Sequence, residues 1–177
     1  MHMNTLKSKL RVVDNFPIPG IKFRDVTSWF EDPSALHEIR NSLRESFRLE
    51  DVDKVVAIES RGFVGGALLA DSVQAGLVLA RKAGKLPTKT ISLSYEKEYG
   101  IDTLEIGVDA IKEGDVVVIH DDLLATGGTA MAVWNLVQQF KPSKVIFSFL
   151  IEITDEGLGG RKLLEMTGCE VRSVLTV

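Results

Sequence analysis

Residues 116–129 read Val-Val-Val-Ile-His-Asp-Asp-Leu-Leu-Ala-Thr-Gly-Gly-Thr, and this stretch decides the fold. Its apolar, β-branched start reads as a parallel strand buried on both faces, and the Gly-rich end reads as the opening of a helix. In open α/β sheets ligands lie beyond the carboxyl ends of the strands, which puts Asp121 and Asp122 where a substrate would sit. Just beyond them, residues 125–129 can wrap an anion. Gly127 and Gly128 let backbone N–H groups converge, Ala125 adds no bulk, Thr126 and Thr129 add hydroxyl donors, and the helix contributes its positive end. Two carboxylates beside an anion cradle suit a phosphorylated sugar, whose vicinal hydroxyls donate to the carboxylates or share with them a metal that bridges the two.

The ordered run Asp-Asp-Leu-Leu-Ala-Thr-Gly-Gly-Thr resembles the phosphoribosyl-diphosphate signature of the type I phosphoribosyltransferases, in the form carried by the adenine phosphoribosyltransferases. The plainer alternative is a strand-turn-helix with a capping Asp, which would not require this combination in this order. His120 stands where that family usually has an aliphatic residue, and at a strand end it reads as a packing residue.

Composition sets the frame for the other motifs. The 177 residues suit a single domain with one substantial core, and 45% hydrophobic with 26% charged residues is ordinary globular composition. A net charge of −4 argues against general nucleic-acid binding, so any phosphate site has to be local. The lone cysteine, Cys169, allows neither an intramolecular disulfide nor a Cys-based metal cluster, and it reads as an inert buried thiol in a reducing cytoplasm. No apolar run approaches the roughly 20 residues that span a bilayer, and residues 1–11 lack the apolar centre of a signal peptide.

Taken in order, Leu6, Leu10 and Val13 suggest one side of a short N-terminal helix. Two prolines and a glycine then make residues 15–20 an ordered turn before an alternating segment. Asp32-Pro33 is a cap followed by a first-turn proline, with Leu36, Ile39, Leu43 and Phe47 on one helical face and His37 toward solvent. Residues 54–58 read as a second buried strand, followed by Glu59-Ser60-Arg61-Gly62-Phe63 and a Gly- and Ala-rich helix. Arg61 has the planar donor fork that suits a diphosphate. This Gly-rich turn does not fit the dinucleotide pattern G-x-G-x-x-G.

Residues 76–80 read as a third strand, entering Arg81-Lys82-Ala83-Gly84-Lys85-Leu86-Pro87. Residues 89–95 alternate, with Ile91, Leu93 and Tyr95 on one face, and 104–106 offer an antiparallel return, so Glu98-Tyr99-Gly100 falls on a mobile hairpin or lid. A lid would keep water from an activated phosphoribosyl group. Residues 131–140 form a helix ending before Pro142, residues 144–153 a strand covered on both faces, residues 160–164 the start of a last helix and residues 169–177 a last strand.

Several of these segments resemble the adenine phosphoribosyltransferases in the family's own order. Residues 16–25, Phe-Pro-Ile-Pro-Gly-Ile-Lys-Phe-Arg-Asp, resemble its N-terminal hood, and the resemblance implies that Phe23 stacks on the base with Lys22 and Arg24 beside it. Glu59-Ser60-Arg61-Gly62-Phe63 resembles the diphosphate loop. That likeness implies a non-proline cis peptide, placed at Glu59-Ser60, and diphosphate contacts from Ser60 and Arg61. Arg81, Lys82 and Lys85 match cations that reach diphosphate, partly across a dimer interface. Glu98 and Tyr99 match the catalytic loop tip, where the Glu manages a purine proton and the Tyr closes over the reacting bond. Ile153 matches an apolar wall of the base slot, with extra residues near 155–159.

The resemblance implies an α/β fold of the type I phosphoribosyltransferase kind: a central, mainly parallel sheet flanked by helices, under a small N-terminal hood. It covers one domain, residues 1–177, divided into a hood (1–32) and a core (33–177) with a mobile loop at about 82–104. The implied reaction converts adenine and 5-phosphoribosyl 1-diphosphate to AMP and diphosphate, which is purine salvage. Mg²⁺ would be held mainly through the substrate's diphosphate and ribose, with no dedicated protein metal site, and the family is usually a homodimer. A 6-oxopurine enzyme of the same class is the nearest alternative, but this chain carries the Phe-Pro-x-Pro-Gly hood. A non-catalytic nucleotide sensor usually adds a DNA-binding segment, and here no basic arm is visible.

Overall fold

The computed structural model describes residues 3–97, 100–154 and 156–177. Helix α1 (Met3–Lys9) leads into β1 (Arg11–Asp14), which pairs antiparallel with β2 (Lys22–Asp25) to form the hood. The turn between them is closed by Gly20 N–H donating to Asn15 Oδ1 at 2.9 Å and Phe16 N–H donating to the Ile21 carbonyl at 3.3 Å. Val13 therefore stands in a strand opposite Phe23, not on the N-terminal helix as the spacing suggests. The β-branched pair Val12-Val13 lies within reach of a returning strand, and that pairing overrides the weak helical period.

After α2 (Thr27–Phe30), whose Trp29 is fully buried and donates to the Leu6 carbonyl at 2.9 Å, comes α3 (Pro33–Phe47). Asp32 caps α3 by accepting from the Ser34 and Ala35 amides, each at 2.9 Å, which contributes about 1 kcal/mol to a helix end. Its buried stripe is Ala35, Ile39, Leu43 and Phe47, an unbroken i, i+4 row in which Ala35 takes the place expected for Leu36. His37 is exposed as expected.

The body then follows as β3 (Lys54–Ile58), α4 (Gly62–Val73), β4 (Gly76–Lys82), β5 (Thr90–Lys97), β6 (Gly100–Gly107), β7 (Val116–Leu124), α5 (Gly128–Gln138), β8 (Lys144–Glu152), α6 (Gly160–Glu165) and β9 (Glu170–Thr176). Among the described residues seven strands make one sheet in the order β5-β6-β4-β3-β7-β8-β9. Strands β4, β3, β7, β8 and β9 are mutually parallel, and β6 and β5 add an antiparallel hairpin at one edge. This is the mainly parallel sheet expected from the sequence.

Successive residues of a strand face opposite sides, so β7 and β8 feed two cores. Val117, Ile119, Phe147 and Phe149 join the cluster that includes Val133, Leu136 and Val137 of α5. Val118, Ile146 and Leu150 join the one with Ile39 and Leu43 of α3 and Leu69 of α4. Buried aliphatic and aromatic area on both faces, at roughly 1.5–3 kcal/mol per fully buried large side chain, holds the central strands rigid.

Strand β7 is longer than its opening apolar run suggests. Its pairing with β3 ends at Ala57 opposite His120, while its pairing with β8 continues to Leu124 opposite Glu152. Asp121 and Asp122 are thus strand residues on the flank that β3 has just left.

His120 is fully buried, as a packing residue should be. Its Nδ1 lies 3.0 Å from Ser148 Oγ on β8, and its Nε2 has no hydrogen-bond partner among the described residues. A Cβ on Gly65 of α4 would overlap Nε2, so the glycine is what lets the helix approach the imidazole. Burial pushes the His120 pKa down to about 3, which keeps the ring neutral. Gly65→Ala is expected to destabilise the fold by about 1–3 kcal/mol through this overlap, and a second change, His120→Val, should recover most of the loss. Chemical denaturation of the single and double variants checks this; an equal loss in both backgrounds would refute the contact.

Candidate active site

The carboxyl ends of β3, β4 and β7 converge on a cleft of about 440 Å³. Asp121 and Asp122 form one side, Ser60 and Arg61 from the β3–α4 loop a second, and Lys82, Tyr95 and Asp102 a third, with Thr129 at the end. A smaller hollow of about 90 Å³, lined by residues 123–130, shares Asp121 and Thr129 with the cleft. Residues 125–129, expected to cradle an anion, line this hollow.

Gly127 occupies the cap position of α5 with φ of 80°, a left-handed conformation, and no side chain there caps the helix. The first-turn amides of α5 therefore have no side-chain cap, the arrangement that suits an anion, with Thr126 and Thr129 in the same stretch. The hollow is backed by α6: a Cβ on Gly127 would come within 3.1 Å of the Gly160 carbonyl oxygen, and one on Gly160 would overlap the Ala125 carbonyl oxygen. Arg161 anchors that backing by donating to both carboxylate oxygens of buried Glu152, at 2.6 and 2.5 Å.

The two aspartates have different surroundings. Asp121 Oδ1 accepts from the Asp122 amide at 2.8 Å, while Asp122 Oδ2 lies 3.0 Å from Arg61 Nε in an ion pair whose angle is not that of a hydrogen bond. Burial, and then the neighbouring Asp122 carboxylate, hold the Asp121 carboxyl well above the usual carboxylate range.

Across the cleft, the Glu59–Ser60 peptide is cis, at the position the family resemblance implied. The Glu59 carboxylate accepts from Lys82 N–H at 2.9 Å and from Arg81 Nε at 3.2 Å, and Arg81 also donates to the Lys85 carbonyl at 3.2 Å. Burial alone would raise the Glu59 pKa, but the Lys82 amide and Arg81 outweigh it and keep the carboxyl below its ordinary value. Arg81 thus braces two loops. The exposed Lys82 and Lys85 carry the outer positive charge, with Lys82 Nζ 3.7 Å from Asp102 Oδ2. Buried Glu105 sets the Lys85 loop by accepting from the Lys85 and Leu86 amides, each at 3.0 Å, and from Thr90 Oγ1 at 3.2 Å.

Of the hood residues, Phe23 meets the cleft through Arg61, whose guanidinium lies 5.0 Å from the ring centroid; Phe16 approaches the ring edge-on at 5.1 Å. Lys22 is exposed. Arg24 is buried, donating to the Lys22 carbonyl at 2.7 Å and pairing with Glu156, so the hood is tied to the loop after β8. Ile153, half-buried, donates its amide to the Leu124 carbonyl at 3.0 Å, beside the start of the cradle. Glu98 and Tyr99 fall between β5 and β6, outside the described residues.

Residues that the sequence did not assign to the site complete the wall. Tyr95 is half-buried with its hydroxyl 3.4 Å from Thr129 Oγ1, and Asp102 is its partner in the hairpin register. The polar end of an aromatic on an otherwise apolar strand face was the available signal for Tyr95. For Glu59, Glu105 and Glu152 only the fold reveals which amides and cations they meet.

Fold and site together define a phosphoribosyltransferase, and residues 26–167 match the family described as the phosphoribosyl transferase domain. The chain is 49% identical to an adenine phosphoribosyltransferase of Bacteroides thetaiotaomicron, over 100% of this chain and 99% of the relative. Among solved structures it is similar to the Rhodothermus marinus adenine phosphoribosyltransferase, with a TM-score of 0.90 and 46% identity over 99% of this chain and 98% of that one. It is also similar to the Saccharomyces cerevisiae enzyme solved with adenine and an imino-altritol bisphosphate, with a TM-score of 0.89 and 38% identity over 98% of both chains. The chain belongs to the adenine phosphoribosyltransferase family.

The raised pKa of Asp121 carries a stability consequence. Below the unfolded-state value, near 3.8, the carboxyl is protonated in both states and nothing is lost. As pH climbs from there toward the folded-state value, the unfolded chain ionises first and stability falls by about 1.4 kcal/mol for each pH unit. Asp121→Asn, which keeps the oxygen that accepts from the Asp122 amide, should therefore be more stable than the wild type at pH 7, with the gap closing toward pH 4. Thermal melts across that range test this, and a gap that widens on acidification would refute it.

Proposed function

We propose that this protein transfers the 5-phosphoribosyl group of 5-phosphoribosyl 1-diphosphate to adenine, giving AMP and diphosphate in purine salvage. One observation carries the reading: two adjacent carboxylates near the end of β7 lie beside an uncapped helix start and share a single cleft with Arg61 and Lys82. That spacing offers partners for a 5′-phosphate, two ribose hydroxyls and a diphosphate in one line. The yeast relative solved with adenine and a sugar-like bisphosphate supports the same two kinds of ligand.

In this reading residues 125–129 bind the 5′-phosphate, and the energy of that remote contact positions the anomeric carbon against adenine N9. Asp121 and Asp122 accept from the ribose hydroxyls and lie near the positive charge that develops on the ring. Ser60, Arg61, Lys82 and Lys85 stabilise the departing diphosphate, whose charge grows as the C–O bond breaks, and Arg81 holds their loops in place. Phe23, with Lys22, Arg24 and Ile153, makes the base slot. Glu98 takes the purine proton and Tyr99 covers the reacting bond.

Among the described residues no group of three or more His, Cys, Asp or Glu converges to hold a metal. A pair of carboxylates beside a diphosphate site instead suits a hydrated Mg²⁺ held mostly by substrate oxygens, with Asp121 and Asp122 the protein groups that would face it. When bound, it would neutralise charge on the diphosphate. Among the described residues no helix is long and apolar enough to cross a membrane. The reducing cytoplasm suggested by the lone cysteine is the compartment we infer, and a homodimer the assembly, with small-molecule substrates in place of nucleic acid or membrane as partners.

Incubation with adenine, 5-phosphoribosyl 1-diphosphate and Mg²⁺ should release AMP and diphosphate in equal amounts, and chelation of Mg²⁺ should stop it; no nucleotide under these conditions would overturn the reading. Glu98→Ala should lower kcat about a hundredfold with an unchanged melting temperature. Asp122→Ala should raise the KM for phosphoribosyl diphosphate by about tenfold or more, the loss expected for hydrogen bonds to a charged group. A fully active Glu98→Ala enzyme would remove that residue from the mechanism.

A further inference from the structure

Arg61 touches two subsites at once. Its Nε lies 3.0 Å from Asp122 Oδ2, where the ribose hydroxyls would bind, and its guanidinium covers the Phe23 ring at 5.0 Å, where the base would stack. The side chain is 37% exposed and lines the cleft, so it is reachable by an incoming anion. Phe16 packs against the same ring in a T-shaped arrangement, with the two planes 75° apart. Arg61 itself lines the cleft, and its guanidinium covers one face of the ring.

We propose that Arg61 couples the two substrate sites: it holds the place of the base on Phe23 until a diphosphate group draws the guanidinium away. This rests on the functional reading above. A diphosphate carries more negative charge than Asp122 and presents several oxygens to the planar fork, so it competes for the guanidinium by charge-assisted hydrogen bonds. Once the cation has moved, adenine stacks on Phe23 without first displacing it. The cation over the ring and the adenine are alternatives, and the diphosphate selects between them.

An exposed cation–π contact sets the size of the effect at about two- to fivefold in affinity. Linkage requires the coupling to be reciprocal, so adenine must tighten diphosphate binding by the same factor.

Calorimetric titration of adenine into the protein with Mg²⁺, with and without saturating inorganic diphosphate, reads this directly. Wild type should bind adenine about two- to fivefold tighter with diphosphate present, and the reverse titration should give the same factor. In Arg61→Ala, adenine should bind the diphosphate-free protein at least as tightly as it binds wild type, with the coupling gone. Coupling absent from the wild type, coupling that persists in Arg61→Ala, or weaker adenine binding by the diphosphate-free variant would each overturn the proposal. An AMP-formation assay on the same wild-type sample separates the two levels. AMP formed without coupling refutes the role of Arg61 alone, whereas no AMP and no adenine binding refutes the functional reading and this inference with it.

Discussion

The adjacency of Asp121 and Asp122 on a strand buried along both faces is the constraint from which the rest of the site follows. Two neighbouring carboxylates at the end of such a strand resist ionising together, and the surroundings answer with charge: Arg61 stands against Asp122, while Asp121 keeps a raised pKa. The pair is accommodated where the pairing of β3 with β7 ends, at Ala57 opposite His120, and a cleft opens beside the aspartates. The sheet's staggered ends therefore supply what the carboxylates need, access to cations and to a polyhydroxyl ligand. Stability is given up at the site where binding has to occur.

Around that pair, the protein uses acidic residues mainly to place backbone amides and basic side chains. Glu59 joins the β3 and β4 loops, Glu105 organises the Lys85 loop, and Glu152 fixes Arg161 behind the cradle. Each stands one step from the proposed ligand. A cradle whose glycine is packed backbone to backbone against α6 has little freedom to shift, which suits it to fix one end of a substrate while chemistry proceeds at the other.

Much of this was legible in the sequence because it depends on local order. The β7 run, the Asp pair and the Gly-Gly cradle are contiguous, so strand, carboxylates and helix start are read as a unit. The Asp32-Pro33 cap falls where the local motif places it, and the cis peptide at Glu59-Ser60 where the family resemblance implies it. What stayed hidden depends on residues far apart in the chain. Val13 joins a strand because its partner Phe23 lies beyond a turn, β7 runs through the aspartates because β8 continues beside it, and Arg24 meets Glu156 across the length of the core. His120 could be read as a packing residue from its position, but its complementarity to Gly65 appears only when α4 lies on β7.

The proposed role of the hood in base choice is what separates the adenine reading from a 6-oxopurine one, because the phosphoribosyl group is common to both reactions. The most direct measurement is a competition in which adenine, hypoxanthine, guanine and xanthine are offered together with 5-phosphoribosyl 1-diphosphate and Mg²⁺, and the nucleotides formed are identified by mass. AMP as the sole product is the predicted result; IMP, GMP or XMP would contradict the assignment of the base slot while leaving the fold in place.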